Sequence, residues 1–563
     1  MKTRDFLNSK KSSGGGYRLS KILNKDIKEL NGIILSLFCV SFLITVGLIS
    51  YKVNSSYAIF TDTIEGEKTL EFSVGFPQDK SGANAPVLSE NMIPVYYDET
   101  CNSNAGCWKK ADSENMSSEY KWYDYDSKMW ANSVTVSTND EGVRTDLIDA
   151  PEGTEIPMDR ILTMQVWIPK YTYTIWNYNA DGTATSEPQE IDIQFESGTA
   201  TTGEISCVDN IQGTSDGTSS GTEPTTSETC IIKSTNATCT DTCNGKTYTH
   251  PAFTFGDKEL TGFWVGKFEV SSDISCEPAN SSAIGAGCNL TSIRPLVKPN
   301  VTSWRGAMVG TFENNIMAMN DASNKYGFEA SDDTHMMKNM EWGAVVYLSH
   351  SKYGTCADGM CTEVALNSAS TYTTGCGPQS EGSTSSGTIC NTYNTTLGQS
   401  ASTTGNVYGV YDMSGGASDY VMGNMVSPDG ITMMSGNREI LETSVDSHSG
   451  YSGILYYLGL TSNGYVSSVG AYEYPENKYY DKYSFNTSST TRGRSKLGDA
   501  RKEVYNISNY GWYSDYSRFA YGFYPWFNRG GYYNELNRTG VFNSGSMSGD
   551  AHIFYSSRLV ISQ

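Results

Sequence analysis

The segment GIILSLFCVSFLITVGLIS, Gly32 to Ser50, runs nineteen residues without a charge. That is about the length needed to cross the ~30 Å hydrocarbon core of a bilayer. Residues 1–31 carry eight Lys/Arg against three Asp/Glu, 8 − 3 = +5, and Lys52 is the one base close beyond the span. Positive flanks stay cytoplasmic, so the span reads as a signal anchor with its N-terminus inside and everything after Lys52 outside. A cleaved signal peptide is the competing reading, because Ser56 and Ala58 supply small residues at cleavage positions. Both readings export the body of the chain.

The cysteines agree with export. Of thirteen, Cys39 lies within the span and twelve lie beyond it. Their sequence neighbours form close pairs: Cys101 with Cys107, Cys207 with Cys230, Cys239 with Cys243, Cys276 with Cys288, Cys356 with Cys361, and Cys376 with Cys390. Local disulfide staples are the expected use in an oxidising compartment. A zinc site at Cys239 and Cys243 is disfavoured because no second ligand pair accompanies them. The formal charge is −22 for the whole chain, although its basic N-terminal tail is positive, so the exported part is strongly acidic. No run of Lys/Arg interrupts it, so nucleic acid is not an expected partner.

The chain is 38% hydrophobic, 12% aromatic and only 18% charged. Such a composition excludes a disordered chain and favours strands and loops. After the span, residues 56–76 alternate as a strand with an acidic turn, read as an extended stalk. KWYDYDSKMW, Lys121 to Trp130, sets rings beside acids, as a carbohydrate platform would. Half-buried strands and turns give the same pattern and are preferred. MQVWIPKYTYTIW, Met164 to Trp176, and KELTGFWVGKFEVS, Lys258 to Ser271, predict strands. Two polar insertions, at about 177–250 and 355–405, read as loops. The GTSSG inside the first lacks the strand and helix that a hydrolase nucleophile elbow requires. Ser303 is the expected cap of a helix carrying Trp304, Met308, Phe312, Ile316 and Met319 on one face. Met337, Met340, Ala344 and Leu348 predict a second, with His335 and His350 beside it as ordinary surface or loop histidines.

Four pieces, in order, resemble the formylglycine-generating enzyme (sulfatase-modifying factor) family. They are FWVGKFEVS from Phe263, MEWGAVVYLS from Met340, GVYDMSGGASDYV from Gly409, and WFNRGG from Trp526 with the closing SSRLV from Ser556. The resemblance covers about Leu162 to the C-terminus. It implies an α+β, C-type-lectin-like fold, rich in strands and loops, with two main helices. It also implies oxidase chemistry by a cysteine pair and copper shortly after the Arg-Gly-Gly turn. Here Tyr532 to Thr539 stand in that place and the last cysteine is Cys390, so the catalytic pair is absent. The family's metal motif keeps one acid, Asp419, which is the calcium candidate; calcium needs several oxygen ligands. Otherwise no cofactor is expected.

The layout of the C-terminus is similar to the variable proteins of diversity-generating retroelements, which share this fold and display substituted surface residues. The expected organisation is a cytoplasmic tail (1–31), the transmembrane anchor (32–50), an extracellular stalk and small β region (51–160), and the lectin-like domain (161–563). The expected function is a bacterial cell-surface binding protein for an external protein or glycan, not an enzyme. Its expected ligand-binding residues are Trp512, Tyr513, Asp515, Tyr516, Arg518, Tyr532, Tyr533, Asn534, Asn537, Arg538, Asn543 and Asp550, with Phe527, Arg529, Gly530 and Gly531 as framework. The alternatives are an exported enzyme, either a sulfatase-modifying oxidase or a hydrolase using Asp419 and Asp515, and a structural surface or appendage protein.

Overall fold

The alternating apolar residues of Met164–Trp176 do form strands, and they sit at the centre of the molecule. A computed structural model describes residues 57–58, 74–75, 79–101, 105–178, 187–208, 229–239, 241–276, 288–290, 292–321, 325–426, 476–484, 495–504, 510–520, 524–547, 549 and 551–563. The chain divides into two compact units, Met1–Pro77 and Gln78–Gln563. In the first, Tyr57–Ala58 pairs antiparallel with Val74–Gly75. The expected membrane span and the GTSSG stretch lie outside the described residues. Among the described residues no helix is long and apolar enough to cross a membrane.

The second unit is strand-rich with few short helices. Its central sheet has seven strands, in the order Asp333–Met336, Leu559–Ser562, Gly262–Gly266, Ile161–Pro169, Asn132–Val136, Ile93–Asp98, Cys107–Lys110. Every neighbouring pair is antiparallel. Both strong sequence-predicted strands are here, paired Trp264 to Trp167. The sheet also runs straight across residue 160. Strands at 93–136, expected in a separate small β region, complete the same core because their buried faces need the later strands as cover.

KWYDYDSKMW joins that core: Trp122, Tyr123, Tyr125 and Trp130 are all buried, leaving no open aromatic platform. The described residues of the first polar insertion form strands where its composition reads as loop. Its described parts supply most of a six-stranded sheet, Ala237–Thr238, Thr229–Ile232, Ile205–Val208, Thr247–Thr249, Tyr171–Thr174, Ile193–Phe195. All six expected cysteine pairs are disulfides, including Cys239–Cys243, where zinc was the alternative. Six staples mark the unit as an exported domain.

Two helices pack on the core, α1 (Val309–Met317) and α2 (Asn339–Ser349). Helix α1 starts later than expected, with Met308 and not Ser303 at its cap position. Trp304 lies ahead of it and packs edge-on against Phe312, ring centroids 4.6 Å apart. Helix α2 is buried at every residue, so its apolar stripe is only part of what it buries. The flanking histidines are core residues, against expectation. His335 stacks on Phe255 and faces Glu341 at 3.1 Å, and His350 is enclosed by Trp512, Tyr513 and Phe542.

A third sheet carries the C-terminus: Asp481–Ser484, Ser418–Val426, Trp526–Arg529 and Ser544–Met547, with Tyr555–Ser556 added to Ser418–Val426. The Arg-Gly-Gly turn follows Trp526–Arg529 with φ of +80° at Gly530 and +66° at Gly531. Only glycine adopts that pair of conformations without penalty. A side chain at Gly530 would also meet the Met413 carbonyl and the Trp342 ring.

Candidate binding cleft

The residues expected to bind ligand divide into two groups by burial. Trp512 is 2% exposed, stacked on Trp176 with centroids 5.6 Å apart and edge-on to Phe542. Asp515 is 1% exposed, accepts a 2.9 Å hydrogen bond from the Phe542 N–H, and lies so close to Gly540 that a Cβ there would clash. Burial pushes its carboxyl well above the usual range, and nearby Glu363 adds to the shift. Asn543, 2% exposed, donates to the Arg538 carbonyl at 2.8 Å. These three set the tip in place from beneath and offer a ligand little surface.

The second group reaches solvent. Asn534, Asn537 and Arg538 are exposed, and Tyr513, Tyr516, Arg518, Tyr532 and Tyr533 are half-buried. Backbone bonds join the two segments that carry them: Tyr516 N–H to the Arg538 carbonyl at 2.9 Å, and Arg518 N–H to the Ser544 carbonyl at 2.7 Å. Tyr532 lies flat on Phe554, centroids 4.3 Å apart, and Tyr533 stands edge-on to Tyr372. Asp550 lies outside the described residues.

Beside this group opens a cleft of about 820 Å³. Its one wall is the C-terminal tip, through Tyr513, Leu536, Asn537 and Thr539; the other is the second polar insertion, through Glu363, Leu366, Ser383 and Leu397 among others. The volume falls within the range of small-ligand sites. The two walls touch where Ser386 Oγ donates to Asn534 Oδ1 at 3.2 Å.

The tip is backbone-strained. Tyr513, Ser514 and Leu536 have φ of 58°, 72° and 59°, in the left-handed region that side chains disfavour. Leu536 is also 40% exposed, an apolar side chain held outward at the cleft. Such strain concentrates at ligand sites because the surrounding structure has to impose it. Tyr513 is anchored at 3.4 Å between its hydroxyl and His350 Nε2. Burial holds His350 at about 4, so at neutral pH its ring is uncharged. Glu363 reaches solvent at the mouth, yet the surrounding wall raises its carboxyl to about 7.

The insertion wall was not among the sequence-predicted site residues. Its signal was the staple: Cys356–Cys361 and Cys376–Cys390 fix both ends of a stretch that composition alone marks as a loop. Asp419 is in a different place, fully buried on Ser418–Val426 and bonded to Arg558. Among the described residues, the groupings of three metal-type side chains are Asp79 with Asp124 and Asp126, and His350 with Cys356 and Cys361. Neither includes Asp419, and the two cysteines of the second are bonded to each other.

No protein-family model matches the chain, and no curated protein matches it in sequence.

Proposed function

We propose that this protein is a membrane-anchored bacterial surface receptor whose C-terminal domain, a non-catalytic C-type-lectin-like scaffold, captures an external protein or glycan in the cleft between its tip and its second insertion. The cleft carries this reading: it joins exposed polar and tyrosine residues, strained backbone and an outward leucine around a volume suited to part of a ligand. Tyrosine supplies contact area at low entropy cost, and small polar residues adapt their hydrogen bonds.

The cysteines weigh against the oxidase alternative. Such an enzyme needs a reactive thiolate, and all twelve cysteines beyond the span are in disulfides. The anchor rests on Gly32 to Ser50 and its flanking charges. Diversification of the tip by a retroelement rests on the resemblance of layout. A template repeat in the neighbouring DNA, matching the last codons but differing at adenines, tests that part.

The binding test is an array of glycans and surface proteins probed with the full-length chain and with a Tyr513→Ala/Asn537→Ala variant. A ligand retained by the native chain and lost by the variant supports the reading. No ligand for either form, or equal capture by both, sinks it.

A further inference from the structure

A second cavity, of about 550 Å³, lies between the six-stranded sheet and the first turn of α2. Its lining carries five lysines, Lys233, Lys338, Lys478, Lys482 and Lys496, against one carboxylate, Asp481, or 5 − 1 = +4. In a chain of formal charge −22 that concentration of cations is a strong local reversal. Carboxylates behind the lining answer two of the lysines: Lys478 lies 2.8 Å from Asp333 and 3.8 Å from Glu476, and Lys338 lies 3.5 Å from Glu341. Lys233 and Lys482 are in no ion pair among the described residues. The α2 N-terminus at the inner end of the cleft is taken by the protein's own carboxylate. Asp481 accepts a 2.6 Å hydrogen bond from the Met340 N–H in the first turn of α2, where helix N–H groups and the helix dipole favour negative charge.

We infer that this cleft binds an oxyanionic saccharide or polyol bearing two or more sulfate or phosphate groups. Lysine ammonium groups spread around a cavity suit several separate anionic groups, each met as a point charge. Ser206 and Asn477 on the wall add neutral groups for ligand hydroxyls. Nucleic acid fits less well, because the aromatic rings in the lining, Tyr248, His250 and Tyr480, are buried at 9%, 0% and 4% exposure and present no face for base stacking.

The test is titration calorimetry of the full-length chain with inositol hexakisphosphate, a sulfated heparin tetrasaccharide, its unsulfated counterpart and a short oligothymidylate. Saturable binding of the phosphorylated or the sulfated probe is expected, weakening as salt rises; which of the two binds tighter identifies the source of the anion. Lys233→Glu/Lys482→Glu is expected to reduce that affinity by about tenfold or more. Lys80→Glu/Lys325→Glu, a charge-matched control on exposed lysines elsewhere, is expected to leave it unchanged. If the double variant is unstable, Lys233→Glu alone changes an exposed side chain and must act in the same direction. Absence of binding by both anionic probes, equal binding of the unsulfated sugar, tighter binding of the oligonucleotide, or equal loss in the control overturns the proposal.

Discussion

Arg558 Nε donates to Asp419 Oδ2 at 3.1 Å with both side chains fully buried, tying the start of the closing strand of the central sheet to Ser418–Val426, the strand paired with Trp526–Arg529. Arg558 also donates to the Gly266 carbonyl at 2.9 Å. Glu269 and Asp412 raise the negative charge around Asp419, and burial lifts all three carboxyls. The one guanidinium therefore answers a group of acids. Replacing it, as in Arg558→Met, leaves them without a cation and is expected to destabilise the fold by about 3–5 kcal/mol. Adding Asp419→Leu to that variant is expected to recover part of the loss. Chemical denaturation of the single and double variants measures both.

Trp512 was expected to bind ligand and is instead packed beneath the tip. Trp512→Ala is expected to cost about 3–5 kcal/mol of stability through the cavity it opens. Tyr513→Ala, at the cleft surface, is expected to leave the melting temperature within a few degrees while abolishing ligand capture. Calorimetric melting beside array binding separates the two roles.

Leu536 is held at φ 59° and exposed. Leu536→Gly is expected to leave stability unchanged or raise it slightly by relieving strain, while weakening binding through loss of the apolar contact. Equal affinity of the variant and the native chain would show that the leucine is not used.

Glu503 is buried, accepts 2.7 Å bonds from the Tyr173 and Tyr347 hydroxyls, and is raised by burial to about 7 from 4.5. Its folded form binds a proton that the unfolded form has released. The stability it contributes is therefore fully present below the unfolded value and is lost as pH rises through 7. His250 and His350, lowered by burial to about 3 and about 4 from 6.5, act oppositely and remove stability as pH falls below 6.5. The melting temperature is expected to peak between these limits. Glu503→Gln is expected to flatten the alkaline side and to steepen the acid side, where Glu503 opposes the histidines between 4.5 and 6.5, in a melting series from roughly pH 5 to pH 8.

The Cys376–Cys390 disulfide fixes the insertion wall of the cleft. Cys376→Ser/Cys390→Ser is expected to lose about 3 kcal/mol of loop constraint. Ligand capture is expected to fall as well, because the wall loses its restraint, and affinity measured well below the melting temperature checks it.

What the sequence determined by itself was local. Alternation in Met164–Trp176 and Lys258–Ser271 specified strands, because one face of each must be buried. Close spacing specified six disulfides, because short loops bring sulfurs together whatever the rest of the chain does. The Arg529-Gly530-Gly531 turn was legible because left-handed backbone needs glycine. Long-range pairing decided the rest. It placed residues 93–136 in the same sheet as the C-terminus, put Trp512, Asp515, Asn543, His335 and His350 inside, and set Asp419 against Arg558. It also brought Tyr513 to Glu363 across one cleft and gathered Lys233, Lys338, Lys478, Lys482 and Lys496 around another. Neither juxtaposition has a sequence signature, since burial and charge clustering depend on which distant segments pack together and not on what stands beside each residue in the chain.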